Sequence, residues 1–234
     1  EADLGILADL SRADILMYCL CSADLAVVAA QARPHSILPI YGESLVERKV
    51  SSVEEPAVLR SLTEGRPGHS EVRRVIGGQE SPGRAAPIVQ ETYPIHGADG
   101  RVIAVICVET NLIERERHRR RSKAFQRALK LFQQTVLSGA LEGAEQLSPF
   151  AEHDGVMVVD TQHRIQYVSG IATNLYRKLT YGSDLRKRHL EDLELDDLSL
   201  ALRAMEQGTC VEAETPAKDL VWIKKAIPFY SPGR

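Results

Sequence analysis

The chain has 234 residues, 44% hydrophobic and 26% charged, with 29 Lys and Arg against 32 Asp and Glu for a formal charge of −3. These values describe an ordinary folded protein of one large or two small domains, with no global charge to draw it onto nucleic acid. The longest apolar run, Val102 to Val108, is far too short to cross a bilayer, and the start at Glu1 lacks the charged segment and apolar core of a secretory signal, so a cytoplasmic protein off the membrane is expected. Cys19, Cys21, Cys107 and Cys210 lie scattered in apolar, strand-like segments, as reduced thiols do, and not at the spacing of a disulfide framework.

Leu4, Leu7 and Ala8 open the chain as a short helix, broken at Ser11 and Asp14. The bounded apolar run ILMYCLC then reads as a strand, with Asp24 to Ala32 as its hairpin partner across Ser22 and Ala23. Pro34 and Pro39 end the regularity, and residues 35–52 read as a loop-rich crossing. A second helix starts at Pro56, tolerated in a first turn, and closes on Gly65. Strands return at Ser70–Ile76 and Ala86–Ile95, separated by the loop GGQESPG, and Asp99–Gly100 turns the chain into RVIAVICVET. This order predicts an antiparallel sheet with helices on one side over residues 1–110, an α+β module and not a parallel α/β enzyme.

Asn111 to Gly143 is the longest helical pattern, with Asn111 and Glu114 in the form of a capping box and no proline before Pro149. It predicts a connector helix over 111–146. Arg115, Arg117, Arg119, Arg120, Arg121 and Lys123 crowd its first part. A contact with nucleic-acid phosphates is one reading; a solvated helix segment is the simpler one, because the charges surround the helix and no aromatic is interleaved to stack bases. Nucleic acid is therefore not an expected partner. Phe125, Leu129, Phe132 and Val136 then lie on one stripe, which predicts a seam between identical chains and a homodimer.

Beyond Pro149, VMVV and RIQYVS read as a hairpin around the turn Asp160–His163, followed by short helices around Asn174 and Asp184. A helix over Leu195–Gln207 stops at Gly208, and TCVEAET and DLVWIKKAIPFY are two more strands. The ending SPGR is a turn with no strand after it, so a five-stranded module over 147–234 is expected to lack its last strand.

The second half resembles a PAS domain, through the Asp154–Gly155 pair before apolar residues, the Asp-containing turn, a helix with Ala172 and Asn174, and Tyr181–Gly182; Ser169 stands where an asparagine is often found. The opening LGILADLSRADILMY, Arg33–Pro34 and the charged-then-apolar helix resemble the GAF-like domain of PdtaS-type cytosolic sensor histidine kinases. The resemblance implies two α+β modules, GAF-like then PAS-like, forming the sensor region of a two-component kinase. It also implies dimerisation, phosphotransfer and ATP-binding domains after the PAS domain, and a response regulator as partner.

The kinase's own catalytic parts are not expected within these residues, since no histidine precedes an Arg-Val-Lys-Asn-Asn run; His118 lacks the asparagine pair and reads as a solvated helical histidine. A small molecule held between sheet and helices of the second module would meet Met157, Tyr167, Asn174, Leu202 and Trp222, which are equally well core residues of a domain with no ligand. Cys19 and Cys21 share a strand face but have no further ligand at metal spacing, and the acidic stretch Glu191, Asp192, Glu194, Asp196 and Asp197 alternates with leucines as an exposed flank does. No metal site and no particular cofactor follow from these patterns. The rival functions are a nucleic-acid-binding regulator using residues 115–123 and the sensor half of a cyclic-nucleotide enzyme.

Overall fold

The computed structural model describes residues 2–76, 84–179, 184–193, 195–217 and 220–230, and the chain folds as two units, residues 1–120 and 121–234. In the first unit α1 (Ala2–Ser11) leads into β1 (Asp14–Ser22), β2 (Leu25–Ala32) and β3 (Lys49–Ser51). Then come α2 (Pro56–Glu64), β4 (Gly68–Ile76), β5 (Arg84–His96), β6 (Val102–Asn111) and α3 (Leu112–Arg119). The six strands form one antiparallel sheet in the order β3-β2-β1-β6-β5-β4. Strand β3 falls inside the stretch expected to be loop, because three residues are too few to show a period of two. The loop GGQESPG lies outside the described residues.

Two central strands depart from the one-sided sheet that the element order predicts. Ala104 through Glu109 of β6 are all buried, as are Asp14, Ile15 and Leu16 of β1, so both faces of the sheet are covered there. The uninterrupted apolar text of β6 is what two-sided burial demands. On the inner face Leu16, Tyr18, Val105 and Cys107 pack against Val58, Leu59 and Leu62 of α2. Each such apolar side chain contributes roughly 1.5–3 kcal/mol on leaving water. Helix α2 begins with Pro56 and ends where Gly65, at φ +66°, donates its N–H to the Ser61 carbonyl; the left-handed φ is why a glycine stands there.

The expected continuous connector is two helices. Helix α3 starts as predicted, with the Glu114 N–H donating to Asn111 Oδ1 at 2.9 Å, and ends at Arg119. Helix α4 (Lys123–Leu137) starts anew after Ser122, which sits at φ −58°, ψ 149° and accepts the Phe125 N–H on its Oγ at 3.3 Å. Serine is a favoured N-cap, and that preference overrides a sequence with no glycine or proline to mark the interruption.

The second unit comprises α4, β7 (Met157–Val159), β8 (Ile165–Val168), α5 (Gly170–Lys178), α6 (Asp197–Gln207), β9 (Val211–Ala217) and β10 (Leu220–Ala226). Its described strands form two antiparallel pairs, β7-β8 and β9-β10. Ile165, Tyr176, Leu179, Leu185, Leu190, Leu193 and Leu195 form its core, with Met157 and Trp222 partly buried against it. Residues 184–189 are not the helix expected around Asp184: the Asp184 carboxylate accepts from the Arg186 backbone and guanidinium, and Lys187 takes φ +68°. A local carboxylate-to-backbone bond of this kind competes with helix formation.

The stripe assigned to a dimer seam is also reassigned. Phe125, Phe132 and Val136 are buried, and Leu129 is half-buried. The Phe125 ring lies 4.9 Å from that of Tyr167 on β8, and Phe132 meets Phe229 edge-on at 6.5 Å. The apolar edge is thus covered by its own unit, which removes the reason for a partner to cover it. Tight packing around Gly155 offers a check on this unit. A Cβ there would fall 2.6 Å from Ala172 Cα on α5. Gly155→Ala is therefore expected to lower stability by about 1–3 kcal/mol, measured as a reduced urea midpoint.

Candidate functional site

Alternation along the strands of the first unit brings polar side chains onto the inner face that also carries Leu16 and Tyr18. Cross-strand register aligns Asp14 of β1 with Glu109 of β6, Glu109 with Gln90 of β5, and Gln90 with Ser70 of β4. A polar row therefore crosses four adjacent strands, and residues two apart share its face, so Arg74 on β4 and Thr92 on β5 join it. Glu55, just before α2, and Tyr41, from the segment between β2 and β3, reach it from above.

These groups satisfy one another. The Arg74 guanidinium bridges two carboxylates, with Nη2 2.5 Å from Glu55 Oε1 and 2.7 Å from Glu109 Oε1. Gln90 Nε2 donates to Glu55 Oε2 at 2.9 Å and to Glu109 Oε1 at 3.0 Å, while its own Oε1 accepts from Ser70 Oγ at 3.0 Å. Tyr41 OH donates to Glu109 Oε2 at 2.6 Å. Glu109 is 0% exposed, and buried charge is tolerable only with such partners. Burial pushes Glu55 upward against the pull of Arg74, and it raises the phenols of Tyr18 and Tyr41 and the thiol of Cys107. Tyr41 is thus held as a donor.

Residues 33–48 carry no helix or strand of the sheet and cross this end of it, held by side chains beneath them. Asp9 accepts from the backbone of His35 at 2.6 Å and of Ser36 at 3.1 Å; Asp14 Oδ2 accepts from Ile40 N–H at 2.8 Å; Gln31 Oε1 accepts from Leu45 N–H at 2.7 Å. Tyr41 adds its bond to Glu109. Two atoms under this segment, Asp14 Oδ1 and Gln31 Nε2, are buried with no hydrogen-bond partner. Leu16 pairs with Gln31 across β1 and β2, so Asp14, two residues from Leu16, is a diagonal neighbour of Gln31, at about 7–8 Å. One unused acceptor and one unused donor thus belong to neighbouring positions on the face that carries the charged network, and buried polar atoms in this condition call for an additional partner. Burial, with the Glu109 charge opposing the Ile40 and Tyr41 N–H groups, raises Asp14 to about 6.

Sequence reading missed this site. The signal was present as a Glu and an Asp on inward positions of apolar strands, Glu109 in step with Val105 and Cys107, and Asp14 in step with Leu16 and Tyr18. The residues named instead in the second unit have varied surroundings. Met157 and Trp222 border the core, Tyr167 faces Phe125, Leu202 is half-buried on α6, and Asn174 is exposed on α5. Tyr176, which the sequence pattern did not single out, meets the Trp222 ring at 5.7 Å and donates to Asp197 Oδ1 at 2.9 Å, where Lys224 also bonds at 2.9 Å. Asp197 and Asp192 of the acidic stretch are thereby engaged within the fold, Asp192 accepting from the His189 N–H; Glu194 and the His118 side chain lie outside the described residues. Cys19 is raised by burial and by Cys21, which is exposed, and no group of three potential metal ligands occurs among the described residues. Three arginines of the basic run are met by acids of the first unit: Arg117 by Glu114, which Arg12 also meets, Arg119 by Glu116, and Arg115 by Glu71 at 3.9 Å.

An antiparallel six-stranded sheet with a polar, loop-covered inner face defines a sensor module of the GAF type, followed here by a PAS-like unit. The family model "Histidine kinase PdtaS, GAF domain" matches residues 1–128, and the chain belongs to that family. Among solved structures, a chain described as the sensor region of a sensor histidine kinase is similar over 100% of this chain and 84% of its own, at 22% identity and a TM-score of 0.66. A PAS domain of a protein from Colwellia psychrerythraea aligns with 44% of this chain and 89% of its own, at 15% identity and a TM-score of 0.34. An IclR-type transcriptional regulator from Alicyclobacillus acidocaldarius aligns with 59% of this chain and 63% of its own, at 11% and 0.35. Comparison with curated proteins finds no match. The chain is a histidine-kinase sensor region of α+β fold, and among its described residues no helix is long and apolar enough to cross a membrane.

Two substitutions measure the site's energetics. Arg74→Met leaves two buried glutamates without their cation and is expected to lower stability by about 3–5 kcal/mol, read by urea unfolding. At Asp14 the fold holds a proton that the unfolded chain gives up above pH 3.8, so stability falls as pH rises from about 4 to about 6 and stays low beyond. Asp14→Asn, which keeps an acceptor for Ile40, is expected to match the unsubstituted chain at pH 4 and exceed it by up to about 3 kcal/mol at pH 8, read from paired denaturation curves.

Proposed function

We propose that this chain is the signal-receiving input of a cytosolic two-component histidine kinase, and that it receives its signal in the first unit, at the polar network beneath residues 33–48. The domains that carry out dimerisation, phosphotransfer and ATP binding follow the PAS-like unit in this reading, and a response regulator takes the phosphoryl group. The observation that carries it is the pairing of a PdtaS-family GAF domain with a segment fastened to a buried, charge-bearing face by four side chains from elsewhere in the fold. Those are Asp9, Asp14, Gln31 and Glu109 from beneath, and within the segment Arg33 donates to the Gly42 carbonyl at 2.9 Å. A small molecule that supplies a donor to Asp14 Oδ1 and an acceptor to Gln31 Nε2 would compete with the segment's own fastenings. It would thereby convert occupancy into a change of loop position.

The basic run does not favour the nucleic-acid reading, since Arg115, Arg117 and Arg119 each meet a glutamate and Arg121 lies over the Phe125 ring. Nor does the relay use the stripe Phe125, Leu129, Phe132 and Val136 as a seam between chains, because the second unit already covers it; a homodimer, if formed through the following domains, leaves that stripe in place.

The test is made on the full-length protein. It is expected to autophosphorylate on histidine from ATP and to pass the phosphoryl group to a response regulator. Tyr41→Phe, which cuts one bond between the segment and Glu109, is expected to shift the autophosphorylation rate about fivefold with the KM for ATP unchanged. Absence of phosphotransfer, or an unaltered rate in the Tyr41→Phe protein, would overturn the reading.

A further inference from the structure

We infer that the occupant of the polar face beneath residues 33–48 is a small organic cation, a primary ammonium group with a neutral carbonyl oxygen close beside it, held by Asp14 and Gln31. The inference rests on the sensory reading above and names the chemistry of its ligand.

Carboxylates outnumber their cation on this face. Asp14 and Glu109 stand directly opposite each other on β1 and β6, and they are 1% and 0% exposed. Like charges so placed repel across a Cβ separation of about 5 Å, and burial leaves little water to screen them. The Arg74 guanidinium is committed to Glu109 and Glu55, and its strand β4 lies three places from β1 in the sheet. Arg33 acts on Asp14 through its charge, while its Nη1 donates to the Gly42 carbonyl. What Asp14 does have is the Ile40 N–H on Oδ2, with the Tyr41 N–H to add to it; its Oδ1 has no hydrogen-bond partner. A positive donor at Oδ1 answers both the open atom and the opposed charges.

Gln31 decides what accompanies that cation. Its Oε1 takes the Leu45 N–H at 2.7 Å, which fixes the orientation of the amide and leaves Nε2, a donor, as the open atom. A bare metal ion would suit Asp14 but gives Nε2 nothing to donate to. A neutral amide supplies a donor and an acceptor but leaves the two carboxylates opposed. A zwitterion would bring one more carboxylate to a face that already carries Asp14, Glu55 and Glu109. An ammonium beside a neutral carbonyl, as in an amino amide, meets every condition, and its N–H on Asp14 is about twice as strong as a neutral hydrogen bond.

The same two side chains fasten the covering segment. Asp14 holds Ile40 with one oxygen and Gln31 holds Leu45 with its carbonyl, so turning either group toward a ligand draws on a bond that fixes residues 33–48. Occupancy and loop position thus depend on common groups.

Glycinamide, acetamide and acetate are the probes, added to the isotope-labelled 234-residue chain while the NMR signals of the Ile40 backbone amide and the Gln31 side-chain amide are followed. Glycinamide is expected to bind about tenfold more tightly than acetamide, and acetate to leave both signals in place. Burial and the Glu109 charge hold a proton on Asp14 up to about pH 6, against the pull of Arg33 and the Ile40 and Tyr41 N–H groups. That proton must leave before the cation pairs, so glycinamide binding is expected to weaken about tenfold from pH 7 to pH 5, and acetamide binding to stay level. In Asp14→Asn the preference for glycinamide is expected to shrink to within about twofold and the pH dependence to vanish.

Acetamide binding as tightly as glycinamide, or a preference for glycinamide that survives in Asp14→Asn, would overturn the cation. Glycinamide that moves neither signal would overturn the whole ligand assignment. The receiving role of the face is decided separately, by the autophosphorylation rate of the Tyr41→Phe protein, which needs no added ligand.

Discussion

A carboxylate shut away from water must be surrounded by donors, and Glu109 imposes that requirement on the whole first unit. It lies on the central strand β6, on the same face as Cys107 and Val105, so alternation alone carries it into the interior. Once there it calls for a cation from β4, an amide from β5 and a hydroxyl from the segment between β2 and β3. The register of three strands and the course of a loop are thereby coupled to one charge. A row of hydrophobic residues in the same places would pack as well, but would leave the loop without its reason to lie where it does.

The second unit is governed by a different demand, the covering of apolar surface. Helix α4 brings Phe125, Phe132 and Val136 to it, and aromatic partners on β8 and in the segment after β10 receive the two phenylalanines. The Thr135 hydroxyl, also accepting from the Tyr230 N–H at 3.2 Å, fastens that last segment to α4. The polar exception is the set around Asp197, where Tyr176 and Lys224 share one carboxylate oxygen, while Asp197 Oδ2 and Trp222 Nε1 have no hydrogen-bond partner.

Most elements of the first unit were legible because their causes are local. The hairpin of β1 and β2, the turn at Asp99–Gly100 and the helix from Pro56 to Gly65 all announce themselves through period, turn chemistry or caps within a dozen residues. The functional face was not, because it depends on register across four strands, and register is set by pairings among residues up to about 95 positions apart, as between Asp14 and Glu109. The break between α3 and α4 failed for another reason. A serine in a helix-compatible run reads as a mild disfavour, whereas at an N-cap it is a strong preference, and only the positions of Phe125 and Gln126 decide between the two. The burial of the aromatic stripe was hidden likewise: four apolar residues on a helix state that they need a cover, not whose.

The Arg74 bridge also bears on how such a sequence can change over generations. With Arg74 between Glu55 and Glu109, loss of Arg74 strands two carboxylates, whereas loss of Glu55 still leaves Arg74 paired with Glu109, so a single replacement costs most at the arginine. A lineage leaves this arrangement by exchanging the set, as when a buried ionic trio gives way to an apolar one of equal volume. Change at Arg74 is therefore expected to follow change at the two carboxylates and not to precede it.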